Sequence, residues 1–567
     1  MTVHNWSPQQ TAIFDWAANG SGNLVVVARA GTGKTTTILK MLDFAREKSI
    51  LLCAFNKRIA DEMKARIANP NAIAKTLHGV GFSCIQRYWG GIKMDDRRAD
   101  ALTQAICGDA VPIVIKRLVS KLHTKGREIV PLATGPDDLL DLALTFECEP
   151  DESWDLTPYG LSYVTGRAYE AMLLAAEDAK PAYIDFADMV YLPIRKRWTY
   201  PMAEMVIVDE AQDMSASSLM LAEGVCQTGG RIVVVGDDRQ ALYGFRGADS
   251  DSISRLKQAL NATILTLNTT YRCGSSIVAL AAALVPDFHA APGALAGVVR
   301  RLPRYDDAVA EAEPGDFILS RKNAALASVA MSCIRRNKRA VITGRDIGAA
   351  LIALVDKIGT GGAANSIPAF IAKLEMWESK EIARLARQTK ISENSREKKI
   401  EAIQDKVSTL MVLIDGAVSV PELRTRLSNL FTDVSNPATV ITCSSVHKAK
   451  GLEADRVYIL QDTLYPIFGK KALAGIPPDV LAARAREEAN IEYVACTRAR
   501  KELVLVGARN GGDLVPRPEP VTPLLPGEPI GHNGDASYEA PEDGLGEPAD
   551  IAAAEALVDV PDLEIPF

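Results

Sequence analysis

The chain has 567 residues, of which 47% are hydrophobic and 24% charged, with a net charge of −7. That length predicts about three to five domains, and the composition is an ordinary globular one. The longest apolar stretches, such as Leu24–Ala28, are strand-length, and no basic segment with an apolar run opens the chain, so neither a membrane span nor a signal peptide is expected. The nine cysteines and six histidines lack metal-ligand spacing, which argues against zinc and against a disulfide framework and predicts a reducing compartment.

In chain order, a short helical stretch precedes the apolar strand Leu24–Ala28, a glycine loop, a helix from Lys34 to about Glu47, and a strand at Ile50–Phe55. This alternation predicts a parallel sheet with crossover helices. Residues 91–183 read mainly as helix and loop. Strand patterns return at Met205–Val208 and Arg231–Val235, and a further α/β stretch covers 263–345. Residues 370–430 read as helical, and strands resume at Val440–Cys443, Arg456–Leu460 and Leu503–Val506.

The expected organisation is therefore two α/β cores, each with a mainly helical insertion. The first comprises residues 1–90 and 184–262 around an insertion at 91–183. The second comprises 263–345 and 436–510 around a smaller insertion at 346–435. Residues 511–567 differ: they carry 13 acidic residues and one basic one (Arg517), and ten of the 30 prolines follow Gly507. That composition predicts an acidic, disordered tail, with room for a short helix at Ala549–Val558. The remaining body is mildly basic, at +5, which neither requires nor excludes nucleic acid, since a localised groove suffices.

Residues 28–35 read ARAGTGKT between a strand and a helix, the context of a phosphate-binding loop. Gly31 and Gly33 let backbone N–H groups turn towards phosphate oxygens. Lys34 offers a point charge and Thr35 a hydroxyl ligand for Mg²⁺. Ala28 stands where the motif usually begins with glycine. The strand Met205–Val208 runs into Asp209 and Glu210. Carboxylates at that strand end face the phosphate crevice: Asp209 suits Mg²⁺ through water, and Glu210 suits orientation and deprotonation of an attacking water.

Several further segments are specific in wording: WSPQQTAI (Trp6–Ile13), CAFNKRIADEM (Cys53–Met63), KTLHG (Lys75–Gly79), VGDDRQALYGFRGA (Val235–Ala248), TYRCGSSI (Thr270–Ile277), SSVHKAKGLEADRVYIL (Ser444–Leu460) and EEANIEYVACTRAR (Glu487–Arg500). Their order and wording resemble the UvrD/Rep family of superfamily 1 helicases over most of residues 5–507, apart from the insertions. AFNK and KTLH are most similar to the F-box DNA helicases and related phage helicases.

The resemblance implies two RecA-like P-loop NTPase domains facing each other across a cleft for ATP and Mg²⁺. It places Gln10 on the adenine edge and Tyr271 on the adenine face. The loop Ala28, Arg29, Ala30, Gly31, Thr32, Gly33, Lys34, Thr35 and Thr36 lies around the phosphates, and Gly451 and Glu453 nearest the nucleotide. Asp237 and Gln240 lie by the γ-phosphate, which Arg272 and Arg498 reach from the second core. Phe55, Asn56, Thr76, His78, Tyr243, Phe245, Arg246, His447 and Lys450 are implied to face DNA. Relatives often carry an arginine where Thr36 stands, and the sequence leaves open whether Arg29 compensates.

The implied function is a monomeric, cytoplasmic motor of a bacterial or phage-infected cell, working on single-stranded and forked DNA. It would unwind duplex DNA with 3′→5′ polarity in replication, recombination or repair; the alternative is a translocase that strips bound proteins. The ending Ile565, Pro566, Phe567 resembles the acidic tip of bacterial single-strand-binding protein and suggests docking to replication or repair proteins, although a solubilising tail is the slightly preferred reading.

Overall fold

The computed structural model describes residues 5–54, 56–146, 148, 150, 159–177, 183–241, 260–361, 366–387, 393–432, 437–464 and 478–508. Strand β1 (Leu24–Ala28) consists of apolar residues, all buried except half-buried Val27. Burial on both faces is the signature of a central strand in a parallel sheet covered by helices. It shares a sheet with β2 (Ile50–Ala54), β3 (Ala72–Thr76), β6 (Ala203–Val208), β7 (Cys226–Gly236) and β8 (Thr263–Leu267). They form a six-stranded sheet in the order β3-β2-β6-β7-β1-β8, parallel throughout. The carboxyl ends of β1, β6 and β7 therefore lie side by side, and from them emerge the phosphate loop, Asp209 and Asp237.

One expected boundary moves. The second core is expected to begin at residue 263, but the strand Thr263–Leu267 pairs along its whole length with β1, Leu24 opposite Thr263 and Ala28 opposite Leu267. It is the edge strand of the first sheet, and the chain crosses to the second core only after it.

The second sheet is built from β11 (Val298–Leu302), β12 (Phe317–Ser320), β13 (Ala340–Ile342), β14 (Ile441–Ser445), β15 (Ala454–Leu460) and β16 (Ala499–Val506). Its order is β11-β16-β15-β12-β14-β13, again all parallel. A two-stranded sheet, β9 (Thr269–Thr270) with β10 (His289–Ala290), lies between β8 and this sheet in the chain.

The two insertions are anchored differently. The first holds its own core, in which Ile115, Val119, Leu122, Val164, Ala168 and Met172 meet Ile85 and Tyr191 from the flanking helices. Strands β4 (Lys93–Met94) and β5 (Tyr183–Ile184) pair where the chain enters and leaves it. The second comprises helices Arg345–Ile358, Ile367–Arg387, Glu393–Ile414 and Val420–Leu430. Its Phe370, Leu374, Leu410, Leu413 and Leu427 share one continuous cluster with Ile318, Leu326, Ile342 and Ile441 of the second core. No described helix is long and apolar enough to cross a membrane. Residues 511–567, with Ala549–Val558 and the tip Ile565-Pro566-Phe567, lie outside the described residues.

Candidate functional site

The phosphate loop leaves β1 at Ala28. Gly31 and Gly33 adopt φ of 68° and 78°, a left-handed conformation that side-chain-bearing residues disfavour. Gly33 caps the helix Lys34–Met41. Thr32 is buried and donates to the Arg29 carbonyl at 2.9 Å. Thr35 is half-buried on the first turn, and the Thr36 hydroxyl accepts from Arg66 at 3.3 Å.

Lys34 Nζ donates to both oxygens of Glu210, at 2.9 and 3.0 Å. Glu210 has φ of 52°, an uncommon backbone for a residue with a side chain and one that clusters at functional sites. Burial alone would lower the Lys34 ammonium, but Glu210, Asp209 and Asp237 outweigh it and hold it above its usual range. Burial opposes the Glu210 charge too, yet Lys34 and Lys450 bring its carboxyl down to about 2. Asp209 goes the other way, pushed up to about 6 by burial and by Glu210.

Gln212 and Asp237 extend this group. Gln212 donates to Glu210 Oε2 at 2.5 Å and accepts from the Asp237 N–H at 3.0 Å. Gln240 Nε2 donates to Asp237 Oδ2 at 2.6 Å. The opposite wall comes from the second core. Arg498 is 1% exposed, and its donors reach Val494 O (3.0 Å), Thr497 Oγ1 (3.2 Å), Leu452 O (3.3 Å) and Gln240 Oε1 (3.4 Å). Among the described residues these partners are carbonyls, a hydroxyl and an amide, and none is a carboxylate. Burial and the nearby Arg272 bring Arg498 down to about 10, so it stays charged at neutral pH.

Arg272 pairs with Glu453 and packs on the phosphate loop: a Cβ on Gly31 would stand 2.5 Å from Arg272 Cβ and 2.6 Å from Thr270 Oγ1. The Tyr271 N–H donates to Gly31 O at 2.9 Å, and the residue is 52% exposed. Gly451 takes φ of 82° in the turn before Glu453. Lys34, Arg272 and Arg498 thus converge on one seam between the cores.

A model of the UvrD/REP helicase N-terminal domain matches residues 6–261, and one of the UvrD-like helicase C-terminal domain matches residues 247–510. The chain belongs to the UvrD/Rep helicase family. Among its relatives, ATP-dependent DNA helicase Rep of Escherichia coli K12 is 25% identical over 300 residues, 47% of this chain and 41% of Rep. ATP-dependent DNA helicase UvrD2 of Mycobacterium tuberculosis H37Rv is 25% identical over 570 residues, 85% of this chain and 76% of UvrD2. DNA helicase II of E. coli K12 is 24% identical over 296 residues, 46% and 38% of the two chains. The match thus spans about two fifths of the length of the Rep relatives.

Within this UvrD/Rep chain several of the expected site residues have protein partners of their own. The Arg29 guanidinium is taken up by acidic side chains of both cores. It donates to Asp237, Asp238 and Asp287, because three carboxylates surround it. Lys450, expected at DNA, donates to both oxygens of Asp213 at 2.7 Å and to Gln240 O at 2.6 Å, across the cores. Gln10 is buried; its Oε1 accepts the Ser7 N–H and its Nε2 donates to Thr37 Oγ1, which leaves one amide hydrogen for a base edge. Asn56 and Thr76 are helix N-caps, accepting from Ile59 N and Gly79 N. His447 is half-buried just after β14.

His78 stacks on Phe186 at 3.8 Å with rings 20° apart, and burial lowers its imidazole to about 4. The imidazole is therefore neutral at pH 7. Phe55, Tyr243, Phe245 and Arg246 lie outside the described residues.

Sequence reading missed three residues at the site. Tyr493 OH accepts the Ala30 N–H at 3.0 Å. Asp213 takes up Lys450. Phe186 is 55% exposed despite its size; a lone aromatic between Asp185 and Asp188 carries no periodic signal, and only the fold puts it against His78.

Proposed function

We propose that the chain is an ATP-dependent DNA helicase that moves 3′→5′ on single-stranded DNA and unwinds duplex DNA during replication, recombination or repair. The observation that carries this reading is the seam: a phosphate-loop lysine on one wall, and on the other a buried arginine that, among the described residues, hydrogen-bonds no carboxylate and has only Glu453 as a nearby acid. A buried cation without a directly bonded counter-charge is costly, and the oxygens of a γ-phosphoryl group would supply that bond.

Lys34 and Glu210 neutralise each other. When Lys34 turns to the phosphates, Glu210 loses its main counter-charge and becomes a stronger base, poised to orient and deprotonate water. Arg272 and Arg498 stabilise charge on the transferred group. Asp209 and the Thr35 hydroxyl fit Mg²⁺, which would supply charge neutralisation at the phosphates; the Asp209 carboxyl, raised by burial and by the neighbouring Glu210 charge, is the feature that fits it. Tyr271, exposed beside the loop, packs on the base. Because Arg498 gains a directly bonded anion only while the phosphoryl group is intact, ATP favours closed cores and hydrolysis releases them, a population shift by differential contact.

On the DNA side, the His78–Phe186 pair offers a stacking surface; such stacking contributes about 1–3 kcal/mol per base regardless of sequence. The chain is read as a monomeric cytoplasmic motor on single-stranded and forked DNA.

ATP hydrolysis with and without single-stranded DNA, and unwinding of duplexes with a 3′ or a 5′ overhang, test the proposal. DNA-stimulated hydrolysis with unwinding of the 3′-tailed duplex is expected. Absence of hydrolysis would overturn the motor reading, and preference for the 5′ tail would overturn the polarity.

A further inference from the structure

Arg29 is the second residue of the phosphate loop, and its side chain is 9% exposed. Nη1 donates to Asp237 Oδ1 at 3.0 Å and to Asp238, both on the first core. Nε donates to the two oxygens of Asp287 at 3.1 Å, and Nη2 donates to Asp287 Oδ2 at 2.9 Å. Of these three carboxylates, Asp287 alone comes from the second core. It lies between the helix Ser275–Ala282 and β10, next to Phe288, whose ring meets Tyr493 edge-on at 5.4 Å.

The next loop residue is held by the same body. Ala30 packs into the second core's cluster with Cys273, Ile277, Phe288 and Tyr493, and its N–H donates to Tyr493. Asp237 and Asp238 already over-neutralise Arg29. The attraction of Asp287 is therefore not needed to pair Arg29 within the first core, and it stabilises closure of one core on the other. The closed arrangement reaches the chemistry through Asp237, which accepts from Gln240 beside Arg498 and from whose N–H Gln212 accepts beside Glu210.

We infer that Arg29 and Asp287 form a clamp between the two cores that holds the cleft closed before nucleotide binds, with Arg29 a positioning residue for Asp237 and, through it, for Gln240 and Gln212. The kinetic consequence rests on the ATPase reading; the structural one does not. If closure is partly prepaid by this ion pair, apparent affinity for ATP scales with the fraction of molecules already closed.

The test uses Asp287→Ala and Asp287→Glu in the full chain. Arg29→Ala would strand the buried Asp237, whereas loss of Asp287 leaves Arg29 its two first-core partners and permits folding. Hydrogen exchange is followed, without nucleotide, in peptides spanning residues 28–33 and 317–320. Asp287→Ala should speed exchange at the Ala30 amide about fivefold or more and leave residues 317–320 unchanged. It should also raise the KM for ATP about five- to tenfold, with a smaller fall in kcat, and Asp287→Glu should restore most of both. Unchanged protection of residues 28–33 would overturn the clamp. If the wild-type chain fails to hydrolyse ATP, the ATPase reading falls and the exchange comparison alone still decides the clamp.

Discussion

Asp209 and Glu210 are adjacent in sequence but titrate in opposite directions, because Lys34 bonds Glu210 alone while Asp209 is buried beside that second carboxylate. For Asp209 the folded value is raised from 3.8 to about 6, so its favourable protonated form is present at low pH and is lost as pH rises through about 6. Glu210 is lowered to about 2, so its contribution is present above its unfolded value near 4.5 and is lost as pH falls towards 2. Asp209→Asn should thus stabilise the nucleotide-free protein at pH 8, raising Tm by about 2–4 °C, with the gain fading by pH 5 and ATP hydrolysis lost. Calorimetry at the two pH values checks this; a lower Tm at pH 8 would contradict it. Lys34, Glu210, Arg272 and Arg498 were legible in the sequence because motif wording fixes them. Arg29 and Lys450 were not, because their partners lie 258 and 237 residues away and a lone basic residue does not announce which acid it will meet.

At the level of elements, two residues expected to touch DNA are also the caps that start helices. Thr76 Oγ1 accepts from Gly79 N at 3.0 Å at the head of Leu77–Trp89, and Asn56 Oδ1 from Ile59 N at 2.9 Å at the head of Lys57–Arg66. Losing such a cap costs about 1 kcal/mol, so Thr76→Ala should lower stability by about that amount as well as weaken DNA binding. Thr76→Ser keeps the cap oxygen and should retain stability, as urea unfolding beside a DNA-binding titration would show. Equal stability of the two variants would exclude the capping role. Strands β1, β2, β6, β7, β14, β15 and β16 were legible as short apolar runs, whereas β3 (AIAKT) and β11 (VVRRL) carry charged or exposed residues that hide them. The membership of β8 was not legible, because Thr263–Leu267 becomes part of the first sheet only through its long-range pairing with β1, and strand period says nothing about which sheet receives an edge.

For the whole molecule, the two parallel sheets present their strand ends to a common seam. The protein closes that seam with its own groups: Arg29 to Asp287, Lys450 to Asp213, and Ala30 to Tyr493. The two-core plan could be read from motif order, whereas these direct contacts needed the fold. The insertions also differ in kind, one carrying its own core and the other sharing the second core's, a distinction that helical periodicity does not encode.

The central claim is that hydrolysis happens at this seam and needs the second core's guanidinium. The most direct test is the single-turnover rate of ATP hydrolysis by Arg498→Ala with saturating single-stranded DNA, its folding verified by calorimetry. The account predicts a fall of about 10³-fold or more with nucleotide still bound; a folded variant turning over at a rate close to wild type would contradict it.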